Sequence, residues 1–282
     1  MLRPQRRLLA LTLLALAGCT AIQPDPTSPG ATPRVAELLL LGEVHDNAAQ
    51  HALRTQTLSD LLARGARPAL LMEQFDRERQ QDIDRLLRHS AEHSVDPHAS
   101  VEALVGLGDR SGWDWHFYRP YLRLALQYRL PVIAANVARE QARAVMRQGL
   151  AAQGFDADVP ADIASGHTAA IEASHCGMVS ASQAAGMALA QVARDQFMAR
   201  LVQTHAARGV VLLAGNAHVR KDLGVPRWLT PTVRAQTRAI GFLEPGDDRP
   251  EGFDQVIVTP AQARQDPCKA MRAAPRAAST PG

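Results

Sequence analysis

The chain has 282 residues, 46% hydrophobic, 21% charged and only 4% aromatic. That is enough to bury a core without a disulfide framework or structural metal. Its formal charge of +3 resides in Arg3, Arg6 and Arg7 of an acid-free leading segment; beyond it 28 basic residues face 28 acidic ones. A neutral body argues against nucleic acid as a partner, because such binding is driven by basic charge.

Arg3, Arg6 and Arg7 precede an apolar run, Leu8 to Ala17. The run is too short for a bilayer span, which needs about 20 residues, and reads as the core of a signal peptide over residues 1–18. Leu16-Ala17-Gly18-Cys19 resembles a bacterial lipobox, which implies acylation of Cys19 and a membrane-anchored mature chain. Thr20 follows, where an Asp would favour retention at the inner membrane. The expected location is therefore the outer membrane, on its periplasmic side. Residues 19–36 are rich in proline and small polar residues and read as a tether. Cys176 and Cys268 remain, in a compartment where they could pair; sequence alone leaves that open.

From residue 37 short apolar runs alternate with helical patterns. Ala36 to Gly42, Pro68 to Met72, Leu130 to Ala135 and Gly209 to Ala214 read as strands, and Arg238 to Leu243 and Gln255 to Val258 as weaker ones. Between them Asn47 to Arg64, Asp76 to Arg88, Tyr118 to Tyr128, Ala138 to Gln148 and Ser180 to His205 carry apolar residues at helical spacing. The pattern predicts an α/β domain over 37–262, with a mostly parallel sheet covered by helices on both faces. His89 to Trp115 and Phe155 to Met178 are expected to be loops or small helices. The Ala/Pro/Arg-rich segment 263–282 is expected to be a disordered tail.

The chemistry gathers where strands end. Gly42-Glu43-Val44-His45 follows the first run, Glu73 the second, Asn136 the third and Gly215-Asn216-Ala217-His218 the fourth. In an open parallel sheet ligands bind beyond the carboxyl ends of the strands, so these residues share one rim. His45, Glu73 and His218 have the donor types of a two-His, one-carboxylate metal centre, with Glu43 as a further ligand or general base. The same set suits metal-free hydrolysis with a His base, or a grip on a bound cofactor. Phosphate-loop, His-Glu-x-x-His and Gly-x-Ser-x-Gly motifs are absent from the sequence. His89, His93 and His98 lie in a polar stretch and read as a solvated loop. Trp113, Trp115, His116, Phe117, Tyr118 and Tyr121 fit either a core wedge or a wall for a flat ligand.

Gly42-Glu43-Val44-His45-Asp46-Asn47, Met72-Glu73, Trp113 to Tyr118-x-Pro120, Ile133-Ala134-Ala135-Asn136, Leu213-Ala214-Gly215-Asn216-Ala217-His218 and Gly224-Val225-Pro226 occur in that order. Over about Glu37 to Thr230 this set resembles the ChaN family of haem-binding lipoproteins, in the Tiki superfamily. The resemblance implies a role in iron or haem uptake and a homodimer that sandwiches haem. A haem receptor or transporter would then be a further partner. It also implies a Tyr as iron ligand, a role that falls on Tyr118, with Tyr121 second and His175 or Met178 next. Arg119 and Arg123, near on the same helix, would pair with the propionates. Superfamily relatives include metal-dependent proteases and erythromycin esterases. The alternative is thus a periplasmic hydrolase with a divalent metal ion, using Glu43, His45, Glu73 and His218.

Overall fold

Four consecutive leucines, Leu38–Leu41, form the first strand, β1, and all four are buried. A run with no polar alternation suits a strand covered on both faces. The computed structural model describes residues 37–93, 95–108, 112–246, 249–266 and 268–269. The expected signal segment, Cys19 and the tether lie outside the described residues, as do 270–282 of the tail.

Strands β2 (Ala69–Asp76), β3 (Val132–Asn136), β4 (Val210–Leu213), β5 (Thr237–Leu243) and β6 (Gln255–Val258) join β1 in one sheet. Its order is β3-β2-β4-β1-β5-β6 and every pairing is parallel. Alternate residues of each strand point to opposite faces. On one face Leu39, Leu41 and Met72 meet α1 (Ala48–Ala63), α2 (Gln80–Glu92), α3 (Pro97–Gly108) and α4 (Arg119–Gln127), through residues such as Leu58, Ile83, Leu104 and Leu122. On the other face Leu38, Leu40 and Leu71 pack on Met198, Ala199 and Val202 of the long helix α7 (Ala181–His205). Helices α5 (Arg139–Gln148) and α6 (Ala161–Ser174) lie against α7. Short helices α8 (Asn216–Val219) and α9 (Pro231–Gln236) follow β4.

Local chemistry explains the boundaries. Asn47 caps α1 by accepting the Gln50 N–H at 3.1 Å, and Gly65, at φ +88°, ends it. Ser180 and Gln183 form a capping box at the start of α7. Gln80 covers the edge of β3: its amide accepts from Ala134 N–H at 2.7 Å and donates to Val132 O at 3.1 Å.

Three departures from the sequence reading stand out. β2 continues past Met72 to Asp76, with a shift of register against β3, so Glu73 and Gln74 extend the strand. The two stretches read as loops or small helices contain α3 and α6, of 12 and 14 residues. In α3 the buried positions Val101, Leu104, Val105 and Gly108 do follow helical spacing, but the glycines mask the pattern. In α6 the stripe is thin, Ile163, His167 and Ile171. Finally, the start of the expected disordered tail is tied down. Arg264 bonds Asp46 Oδ2 and Glu244 Oε2, each at 2.6 Å, and Cys268 forms a disulfide with Cys176 across 92 residues of sequence.

Candidate functional site

β2, β4 and β1 are neighbours in the sheet. Neighbouring strands lie about 4.7–4.9 Å apart, so their carboxyl ends bring Glu73, the 215–218 turn and the 43–45 turn together.

Glu43 is the buried centre of this rim. Its Oε1 accepts the Tyr118 phenol at 2.5 Å and bonds His45 Nδ1 at 2.8 Å, and its Oε2 pairs with Arg54. Arg54 is itself fully buried and also donates to the Leu41 carbonyl at 3.0 Å. A buried carboxylate persists only with such compensation. With Nδ1 engaged by Glu43, Nε2 of His45 lies on the edge of the ring nearest Gly215, at the cavity rim, and 53% of the side chain is exposed. The Trp113 ring stands edge-on to it, centroids 4.6 Å apart. Desolvation within the rim holds the His45 pKa below the usual imidazole range, with His218 adding and Glu73 opposing.

His218 is fixed from the other side. Its Nδ1 bonds Asp195 Oδ1 at 2.6 Å, and its Nε2 lies 3.5 Å from Glu73 Oε1. Asp195 Oδ2 lies 3.2 Å from His167 Nε2. Desolvation pulls the His218 pKa down, but Asp195 and Glu73 outweigh it and raise the pKa above the ordinary value. Glu73 Oε2 accepts the Gly215 N–H at 2.8 Å. A Cβ at Gly215 would stand 3.0 Å from His45 Cε1, and one at Gly42 only 2.1 Å from Asn216 Oδ1, so both glycines serve close approach. Asn216 in turn bonds the Phe242 carbonyl at 2.6 Å and its N–H at 3.2 Å, fastening the second turn to β5.

Glu43, His45, Glu73, Gly215, Asn216 and His218 line a cavity of about 1230 Å³. Ligand pockets commonly hold about 300–1,000 Å³, so a large ligand has room. Val44, Trp113, Val137, Ile171 and Phe253 are among the cavity's apolar lining residues. Arg79, Arg139, Arg194 and Arg220 supply cations around it.

The structure brings Glu43, His45, Glu73 and His218 to one site, as the strand ends implied. Among the described residues no group of three or more His, Cys, Asp or Glu is arranged to hold a metal ion. His45 and His218 each commit one nitrogen to a carboxylate, and Glu73 commits one oxygen to backbone.

The residues assigned to haem by resemblance need correction. Tyr118 and Tyr121 are wholly buried; Tyr118 donates to Glu43, and Tyr121 to the His51 carbonyl at 3.0 Å. Burial drives the Tyr118 pKa far up, which keeps the phenol protonated. Neither oxygen is available to iron in this arrangement. Arg119 closes on Glu102 with two 2.7 Å bonds, and Arg123 is exposed beside a separate hollow between α1 and α4. The apolar face of α4 packs on the sheet, which turns its arginines away from the cavity. Of the aromatic cluster, Trp115, Tyr118 and Tyr121 are core, and Trp113 alone lines the cavity. His175 Nδ1 bonds the Ile171 carbonyl at 2.9 Å, beside the disulfide, and neither His175 nor Met178 lines the cavity. His89 and His93 stack on each other at the end of α2.

Sequence reasoning missed Arg54, His167, Arg194 and Asp195. Two left a signal. Arg54 falls in the apolar stripe of α1 with Leu58, Leu61 and Leu62, and Asp195 in that of α7 with Val192, Met198, Ala199 and Val202. A charge inside an apolar stripe must be answered by a partner.

Fold and site together define a parallel α/β protein with a large, half-apolar ligand cavity on the carboxyl edge of its sheet. Residues 32–229 match the family model described as haem-binding uptake, Tiki superfamily, ChaN, and the chain belongs to that family. ChaN of Campylobacter jejuni, solved in a study of cofacial haem binding, shares the fold at 18% identity and a TM-score of 0.64, covering 79% of this chain and 87% of that one. The type III effector HopBA1 is similar at 16% identity and a TM-score of 0.45, covering 80% of this chain and 88% of its own. An EreC erythromycin esterase mutant in its open conformation is similar at 16% identity and a TM-score of 0.41, covering 82% and 78%. No curated protein matches the chain.

Proposed function

We propose that this protein binds haem for iron uptake in the cavity at the carboxyl edge, as a lipoprotein anchored through Cys19 to the periplasmic side of the outer membrane. Membership of a haem-binding uptake family is the observation that carries the reading. The cavity is consistent with the ligand: it is large, partly apolar, and ringed by arginines that suit propionates. His45 Nε2 is the donor we assign to the iron. A carboxylate on the other ring nitrogen orients an imidazole ligand, as Glu43 does here. Bound haem would supply the redox and ligand chemistry of its iron; the chain orients His45, shields one face with Trp113 and supplies counter-charge. The Cys176–Cys268 disulfide supports a compartment outside the reducing cytosol. Among the described residues no helix is long and apolar enough to cross a membrane. We extend the proposal to a homodimer holding haem, prompted by the cofacial haem of the Campylobacter relative, and to a haem receptor or transporter as partner.

One observation favours a second reading, a periplasmic hydrolase. The buried Asp195–His218 pair facing Glu73 resembles a general base with its orienting carboxylate, which haem holding does not require. A titration of the purified protein with ferric haem, followed in the visible and paired with metal analysis, separates the two. A saturating Soret change that His45→Ala alters supports haem binding. No Soret change, with stoichiometric metal or an activity lost in His218→Ala, overturns it in favour of the hydrolase.

A further inference from the structure

With Arg119 and Arg123 turned away, the cavity needs another partner for an acidic ligand. The geometry points to Arg194 of α7 as its carboxylate anchor, so that the cavity takes an amphipathic acid with its carboxylate on the wall shared by β3 and α7. The inference rests on the haem reading and names the specificity determinant within that site.

Arg194 is half-buried and lines the cavity. Its Nε donates to Asn136 Oδ1 at 3.2 Å and its Nη1 to Gln191 Oε1 at 3.3 Å. Both acceptors are neutral amides. They fix the plane of the guanidinium, and Asp76 on the same wall acts on it through space without closing a salt bridge. Other sheltered arginines of the protein are held by carboxylates. Arg54 is closed on Glu43, Arg220 on Asp222 at 2.9 Å, and Arg227 on Asp162 at 2.6 Å. A half-buried cation with amide partners, on a cavity wall, is set to receive its counter-charge from the ligand. Nη2 remains for that contact, in a fork whose geometry matches a carboxylate. Asn136 thereby acquires a reason to stand at the tip of β3: it is a positioning residue that aims Arg194.

The test compares ferric protoporphyrin IX with its dimethyl ester, which keeps ring and iron and lacks both carboxylates. Wild type should bind the diacid about tenfold or more tightly than the diester, the scale of a charge-assisted hydrogen bond. Arg194→Gln should bring the two within about threefold by weakening the diacid alone, and Arg194→Lys should keep part of the preference, having charge without the fork. Asn136→Ala should erode the preference at unchanged diester affinity, which a merely structural role would not do. Diacid and diester bound alike by wild type, or a full preference kept by Arg194→Gln, overturns the inference and leaves haem binding standing. A wild type that binds neither porphyrin defeats the haem reading and this inference with it. Should Arg194→Gln fail to fold, an undiminished preference in both Arg194→Lys and Asn136→Ala overturns it equally.

Discussion

Replacing Cys176 and Cys268 together by serine removes a cross-link between positions 92 residues apart. In the chain-entropy description, a closed loop of that length lowers the freedom of the unfolded chain by about 4.6 kcal/mol at 25 °C. For a domain of this size each kcal/mol moves the melting temperature by roughly 2–4 °C, so the double variant should melt about 9–18 °C below wild type. Urea titrations with and without a dithiol reductant are the assay, with thermal melts alongside. Reduction of wild type should reproduce the double variant, and reduction of the double variant should change nothing. The urea midpoint should fall with little change in slope, because the surface exposed on unfolding is similar. A loss below about 1 kcal/mol would refute the reasoning, because the bond would then restrain only the strap beyond Thr259. Limited proteolysis shows that case directly, as early release of the strap from an otherwise intact domain.

Tyr118→Phe leaves Glu43 buried with one donor fewer, so stability should fall by about 1.5–3 kcal/mol in urea while the ferric haem spectrum stays that of wild type. A changed spectrum with full stability would restore Tyr118 as the iron ligand. His218 has a folded-state pKa above 6.5, so its contribution is complete below pH 6.5 and is lost as pH rises through the folded value. The stability gap between wild type and His218→Gln should therefore narrow from pH 6.5 upward; a widening gap contradicts the assignment. Arg264, with Asn47 and the Gln262 N–H, holds Glu244 at about 2, below the ordinary 4.5, so that stabilisation is present above pH 4.5 and disappears as pH falls toward 2. The difference in urea midpoint between wild type and Arg264→Ala should close over that window. Cys19→Ala should move the protein from the detergent to the aqueous phase on phase partition, and a wild type already aqueous would remove the lipid anchor.

The central strands were legible because each is a continuous apolar run that only a doubly covered sheet can hide. β1 and β4, with every side chain buried, are the clearest cases. The end of β2 was not legible, because Glu73 and Gln74 belong to the rim and break the apolar pattern where the pairing with β3 slips. The two Gly-x-x-His turns were readable as a site because parallel strands force their ends onto one edge. Arg54 and Asp195 were written in the sequence as charges inside apolar stripes, yet a stripe does not say which partner answers the charge. Tyr118 shows the opposite failure. A Tyr-x-Pro at a helix start suits both a ligand and a cap above Pro120, and only packing decides that it points into the core. For the disulfide, sequence supplied two cysteines and no distance.

The two glycines of the rim are complementary in a way that binds the motifs to each other. Gly42, from the first turn, leaves room for Asn216 of the second; Gly215, from the second, leaves room for His45 of the first. Each turn is thus the mould of the other, although they lie on opposite sides of the chain's long middle section. An alanine at Gly42 would dislodge Asn216 and with it the grip on β5, so a change made in one motif is felt as a defect in the other. Substitutions at the pair should accordingly combine non-additively.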